Sequence, residues 1–165
     1  MKKALVIIDA QKGFINKLTI KTFRRIHNFI ERYGKNYELI IFTKYYNHKN
    51  SNFVRNLGWR GFMAERETDI ADDLKKFINS KNLFIKDTYG SFVDNKLLNL
   101  LKKHKINQVE LAGFDTENCV LTFARDAFDR GLSVIVLEDL SASHSNPKLH
   151  KAAIEIIKDN IGMIK

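Results

Sequence analysis

Short apolar runs recur along the chain, each followed by a segment with helical spacing. Leu5-Val6-Ile7-Ile8, Leu39-Ile40-Ile41-Phe42, Leu83-Phe84-Ile85, Val109-Glu110-Leu111-Ala112 and Val134-Ile135-Val136-Leu137 are brief and almost uninterrupted. That is the pattern of strands buried on both faces. Between them, Ile20, Phe23, Ile26 and Ile30 fall on one helical face, and Ile70, Leu74, Phe77 and Ile78 fall on another. Leu97, Leu98 and Leu101 form a third stripe, and Val120, Phe123, Ala124, Ala127 and Phe128 a fourth that ends near Gly131. A last helix is expected to begin around Pro147, a favoured early helical residue. It would carry Leu149, Ala153, Ile157 and Ile161, with a brief final strand at Met163-Ile164.

Strands alternating with helices predict an α/β fold: three α-β-α layers around a mostly parallel, Rossmann-like central sheet of about six strands. No repeat, linker or low-complexity tract interrupts the 165 residues, which read as a single domain, 1–165. In such sheets ligands bind beyond the carboxyl ends of the strands, where the strand order reverses. Three polar residues reach that edge. Asp9 ends the first apolar run, Lys86 ends the third, and Cys119 opens the helix after the fourth.

Composition narrows the reading. Two lysines and an apolar run open the chain, but Asp9 ends the run at once and no small-residue cleavage site follows, so the segment reads as a strand. No stretch is apolar for long enough to cross a bilayer. One cysteine excludes an internal disulfide framework, so a cytoplasmic location is expected. The net charge of +9 is spread along the chain, in pairs such as Lys75-Lys76 and Lys102-Lys103. That diffuse pattern argues against nucleic acid as the main partner.

Each of the three edge residues has a bland reading beside a chemical one. Cys119 is either a small apolar residue of a buried first turn or a thiol at a helix N-terminus, where free N–H groups favour a thiolate and can hold an oxyanion. Asp9 is a strand-end cap, a metal ligand, or a carboxylate that takes the thiol proton and returns it to a leaving group. Lys86 is a surface lysine paired with Asp87, or the cation that holds Asp9 and lowers the thiol pKa.

The chain resembles the isochorismatase-like superfamily of cysteine hydrolases, which includes nicotinamidases and N-carbamoylsarcosine amidases. Val6-Ile7-Ile8-Asp9-Ala10-Gln11-Lys12-Gly13-Phe14 is similar to the opening strand with its D-x-Q-x-x-F signature. Phe84-Ile85-Lys86-Asp87-Thr88-Tyr89-Gly90-Ser91-Phe92 resembles the segment of the catalytic lysine, and Gly113-Phe114-Asp115-Thr116-Glu117-Asn118-Cys119-Val120 the nucleophile segment. The resemblance implies a Cys119-Asp9-Lys86 triad, a cis peptide at Phe114–Asp115, and an oxyanion hole from the N–H groups of Asp115 and Cys119. It implies attack on an amide or related C–N bond of a small molecule, through a thioester intermediate, and assembly as a homodimer or larger oligomer. Vinyl-ether hydrolysis of the isochorismatase type, or a non-catalytic binding module, are the alternatives.

The pattern departs from nicotinamidases after the second strand. Tyr45 and Asn47 stand where a metal-binding aspartate and first histidine are expected, and His48 alone makes no site, so neither a metal nor another cofactor is expected. Phe14, Trp59 and Tyr89 are candidate walls of the substrate pocket, with core packing as the alternative. His144 and His150 flank the start of the last helix, where hydrogen bonding at the helix end is the expectation over ligand or acid–base roles.

Overall fold

A computed structural model describes residues 1–161 and 164–165. Five parallel strands form one sheet in the order β3-β2-β1-β4-β5. They are β1 (Lys3–Ile8), β2 (Leu39–Tyr45), β3 (Leu83–Lys86), β4 (Gln108–Phe114) and β5 (Ser133–Ala142). Every predicted apolar run lies in one of these strands. The expected sixth strand is the difference. Met163 lies outside the described residues, and Ile164 makes only an isolated bridge to Val136.

The central strand shows why the sheet is buried on both sides. Ala4, Val6 and Ile8 face one apolar cluster with Leu101, Phe123 and Ile157. Leu5 and Ile7 face the other, with Phe23, Ile26 and Leu74. Period-two alternation therefore serves two cores at once. The edge strand β3 does not follow this rule: Ile85 is 68% exposed at the border of the sheet.

One layer contains α1 (Ile20–Tyr33) and the short helices α2 (Asn52–Leu57), α3 (Glu65–Thr68) and α4 (Asp72–Lys75). The other contains α5 (Lys96–Lys103), α6 (Leu121–Asp129) and α7 (Pro147–Asn160). Pro147 is in the first turn of α7, and the Asn146 side chain caps it by accepting from the Lys148 N–H. The face predicted for Ile70, Leu74, Phe77 and Ile78 yields only the four residues of α4. There the Asn82 amide donates to the carbonyls of Phe77 and Ile40, tying the chain into a turn that enters β3. Phe128 and Leu149 belong to predicted stripes but are largely exposed.

The chain leaves β1 for β2 and β3 on one side, then returns to β4 and β5 on the other. The order therefore reverses between β1 and β4, and a crevice opens beyond their carboxyl ends. Gly113 lets the two strands meet there. It has φ of +127°, and a Cβ on it would lie 2.0 Å from the Ile8 carbonyl oxygen. Only glycine fits that approach.

Candidate active site

Asp9 follows β1 in the left-handed region, with φ of +49°. Its side chain is fully buried. The Thr43 hydroxyl donates to Oδ1 at 2.6 Å and accepts from the Asp9 N–H at 3.1 Å, so β2 fixes the carboxylate. Lys86, the last residue of β3, brings its ammonium to 2.8 Å from Asp9 Oδ2. The same Nζ donates to Cys119 Sγ at 3.3 Å and to the carbonyls of Thr88 and Tyr89 at 3.0 and 3.4 Å. Lys86 is thus an ion-pair hub. It is not the surface lysine that the sequence also permitted, and Asp87 pairs with His48 instead.

Cys119 does not sit in the first turn of an α-helix. It lies in a five-residue π-helical turn, Thr116–Val120, that precedes α6. The Asp115 carbonyl gathers this turn by accepting from the N–H groups of Asn118 and Val120. The Phe114–Asp115 peptide that leads into it is cis. Thr116 and His150 pin the turn to α7 through a 2.8 Å hydrogen bond.

Electrostatics correct one expectation. Burial pushes the Cys119 thiol well above its ordinary pKa, the Asp9 carboxylate pushes it further, and Lys86 pulls against both. The first two effects outweigh the favourable ammonium, so the resting group is a thiol and not the thiolate expected at a helix N-terminus. For Lys86, burial alone would favour the neutral amine. The charge and hydrogen bond of the Asp9 carboxylate act against that burial, and the net shift is above the ordinary value.

Above this cluster lies a cavity of about 420 Å³ that includes Cys119, Asp115, Asn118 and His144 in its lining. Phe14, Trp59 and Tyr89 also line it, together with Tyr45, Phe53 and Leu57. Phe53 stacks edge-on against Tyr89 and Tyr45, with ring centres 4.8 and 5.3 Å away, which makes one aromatic wall. Sequence reasoning expected the loops at 44–67 and 140–147 to wall the pocket but did not single out Tyr45, Phe53, Leu57 or Asn118, and it favoured a helix-end role for His144. Tyr45 lies just beyond the apolar run Leu39-Ile40-Ile41-Phe42, and in the structure it pairs in register with Lys86 at the same sheet edge. A wider groove of about 590 Å³ lies elsewhere, between α1 and β5. Arg25 and Lys3 there are already paired with Asp139 and Glu110, and no nucleophile lines it.

The segment after β2 does not fit a metal. The Tyr45 ring packs among Phe53, Trp59 and Phe62. The Asn47 amide donates to the carbonyls of Trp59 and Gly61 and accepts from Ser51 and the His48 N–H. Among the described residues no three His, Cys, Asp or Glu side chains are grouped to hold an ion. Gln11 has a related structural task, donating to the carbonyls of Tyr45 and Thr68 and accepting from the Tyr45 N–H.

Comparison with known proteins adds four likenesses. The isochorismatase domain profile matches residues 3–164. Nicotinamidase 3 of Arabidopsis thaliana is 26% identical over 157 residues, which cover 92% of this chain and 78% of that protein. The crystal structure of the nicotinamidase PncA from Bacillus subtilis superposes with a TM-score of 0.84 at 24% identity, covering 100% of this chain and 99% of that one. An isochorismatase-like hydrolase from Alkaliphilus metalliredigens gives 0.86 at 19% identity, covering 99% and 94%. At such identities the structural likenesses establish a shared fold.

Proposed function

The chain belongs to the isochorismatase domain family, and we propose that it is a cysteine-dependent hydrolase of an amide or related C–N bond in a small molecule. The observation that carries this reading is the buried relay in which Lys86 Nζ touches both Asp9 Oδ2 at 2.8 Å and Cys119 Sγ at 3.3 Å. Such a cluster is costly to bury unless each charge has its partner, and it opens on a cavity of small-molecule size.

In this reading Cys119 Sγ attacks the carbonyl carbon of the amide. The thiol proton passes to Asp9 as the carbon–sulfur bond forms, which removes the need for a standing thiolate. The N–H groups of Asp115 and Cys119 receive the oxyanion. Asp9 then delivers the proton to the leaving nitrogen, the C–N bond breaks, and an amine departs from a thioester on Cys119. Water attacks the thioester, giving a proton to Asp9; the C–S bond breaks, and the proton returns to sulfur as the acid leaves. Lys86 remains charged throughout and steadies Asp9 and the sulfur in turn. Phe14, Trp59 and Tyr89 would sandwich a flat substrate. No step of this scheme uses a metal.

Incubation with a panel of primary amides tests the reading through ammonia release and intact mass. The expected result is turnover, an acyl adduct on Cys119, and loss of both in Cys119→Ala. Ammonia release that survives Cys119→Ala would sink the thiol-dependent scheme, and cleavage of a vinyl-ether substrate by that variant would point to the thiol-independent alternative. No turnover, with ligand binding indifferent to that substitution, would point to a binding module.

The reading also takes the protein as cytoplasmic, which suits a nucleophile that must stay reduced. Among the described residues no helix is long and apolar enough to cross a membrane. A homodimer or larger assembly is part of the proposal, supported by the exposed apolar pair Ile85 and Val93 beside the β3 edge. Sedimentation velocity reads that assembly directly.

A further inference from the structure

No lysine or arginine lines the cavity above Cys119, and His144 is the one lining side chain that can carry positive charge. Its placement is unusually constrained for a loop residue. Nδ1 lies 2.6 Å from Asp115 Oδ2, and its backbone N–H donates to Asp115 Oδ1 at 2.7 Å. Asn16 holds the His144 carbonyl at 2.8 Å, and the ring meets Phe14 edge-on with centres 5.1 Å apart. Both oxygens of Asp115 are thereby engaged, while Nε2 has no hydrogen-bond partner among the described residues. The clamp fixes the tautomer as well: with Nδ1–H given to Asp115, Nε2 is a donor in the charged ring and an acceptor in the neutral one.

We propose that His144, clamped by Asp115, is the specificity-determining residue of this site and selects substrates that carry a carboxylate beside the scissile amide. This rests on the hydrolase reading above and gives it a substrate class: a small, flat amide with one acidic group. The aromatic wall takes the ring, Cys119 takes the amide, and the imidazolium Nε2–H takes the carboxylate.

Charge around the ring supports the donor state. The hydrogen bond to Asp115 raises the His144 pKa, burial opposes it, and the charges of Asp115 and Glu117 raise it further, for a net shift above the ordinary value. The remaining neighbours do not reverse this. The loop after β1 presents the uncharged Phe14 and Asn16, and Tyr89 faces across the cavity. Asp9 and Lys86 at its base are paired with each other, and the Cys119 thiol is neutral at rest. His150 of α7 is bound to Thr116, and its own pKa is lowered by burial. As pH rises through the His144 pKa, Nε2 turns from donor to acceptor and would repel a carboxylate.

The test uses isophthalic acid monoamide (3-carbamoylbenzoic acid) and its neutral isostere isophthalamide, with Trp59, the only tryptophan and a wall residue, as the fluorescent reporter. Binding is measured on the Cys119→Ala protein, which removes turnover from the readout. The acid should bind about tenfold more tightly than the diamide near pH 6, as for a hydrogen bond to a charged group. The preference should fade towards unity by about pH 9. Two variants on the same background separate recognition from scaffolding. His144→Asn places an amide nitrogen where Nδ1 stood, keeping the Asp115 contact without the reaching Nε2, and should lose the preference. His144→Gln mimics Nε2 without its charge and should keep a weak preference with no pH dependence. Equal binding of the two probes, binding of neither, or a preference retained by His144→Asn would overturn the proposal. Selective binding of the acid with no ammonia released by the wild-type protein would leave this site standing and remove the hydrolase reading.

Discussion

Asp9 and Lys86 act on the Cys119 thiol with opposite sign, and that opposition can be measured. Removing the carboxylate in Asp9→Asn takes away a charge that raises the thiol pKa, so iodoacetamide should label the variant faster than the wild type at a fixed alkaline pH. Lys86→Met removes the charge that lowers it and should label more slowly. Rates that move in the same direction would mean that the three groups are not coupled. Catalysis should fail in both variants, with Asp9→Asn losing about 10²–10⁴-fold in kcat as a proton shuttle is lost. Lys86→Met also leaves a fully buried carboxylate without its cation and should cost about 3–5 kcal/mol in denaturant unfolding. These three residues were legible in the sequence because each ends a strand or follows one, and position at a parallel-sheet edge depends on little else. The protonation state of Cys119 was not legible. It depends on burial by residues far along the chain, which no local pattern encodes.

Gly113 and the segment after β2 mark the two ends of what a sequence pattern can convey. The tight contact of Gly113 with Ile8 lies inside a strand that was readable from its apolar run, and its consequence is steric. Gly113→Ala should cost several kcal/mol, on the order of 3 or more, and spread β1 from β4 at the point where Asp9 and Asp115 emerge. Thermal unfolding and ammonia release together would detect it; an unshifted Tm would refute the close approach. Residues 46–62 offered no period to read. Their shape comes from side chains bonding to backbone, above all the Asn47 amide to Trp59 and Gly61 and the Ser51 cap of α2. Such hydrogen bonds have no spacing rule, so Trp59 could be named from the sequence but its support could not. Asn47→Ala should free this wall: Trp59 emission should move to the red, and KM should rise more than kcat falls. The same limit explains Ile70 to Ile78, where an apolar face was present but Asn82 set a turn in its place.

Across the molecule, charge is arranged differently at the two ends of the sheet. At the amino-terminal end, Glu110 of β4 is buried beneath Tyr37 and Lys3. Burial would raise its pKa, but the Tyr37 hydroxyl and the Lys3 ammonium together hold it below the ordinary carboxylate value. A folded-state pKa below the unfolded one means stability that is full above about pH 4.5 and is lost as pH falls through the folded value. Glu110→Gln should flatten that part of the acid unfolding curve while lowering the unfolding free energy at neutral pH by about 1 kcal/mol. An unchanged acid limb would show that other carboxylates control it. At the carboxyl-terminal end, Asp9, Lys86 and Cys119 arrive on three separate passes of the chain, and they meet only when β1, β3 and β4 have taken their places. The lone sulfhydryl therefore records maturity. In an unfinished or damaged chain it is an ordinary thiol, open to any electrophile at neutral pH. In the finished molecule it is sheathed and protonated until a substrate draws it out. A thiol-reactive dye added to the purified protein at neutral pH should accordingly label unfolded copies much faster than folded ones.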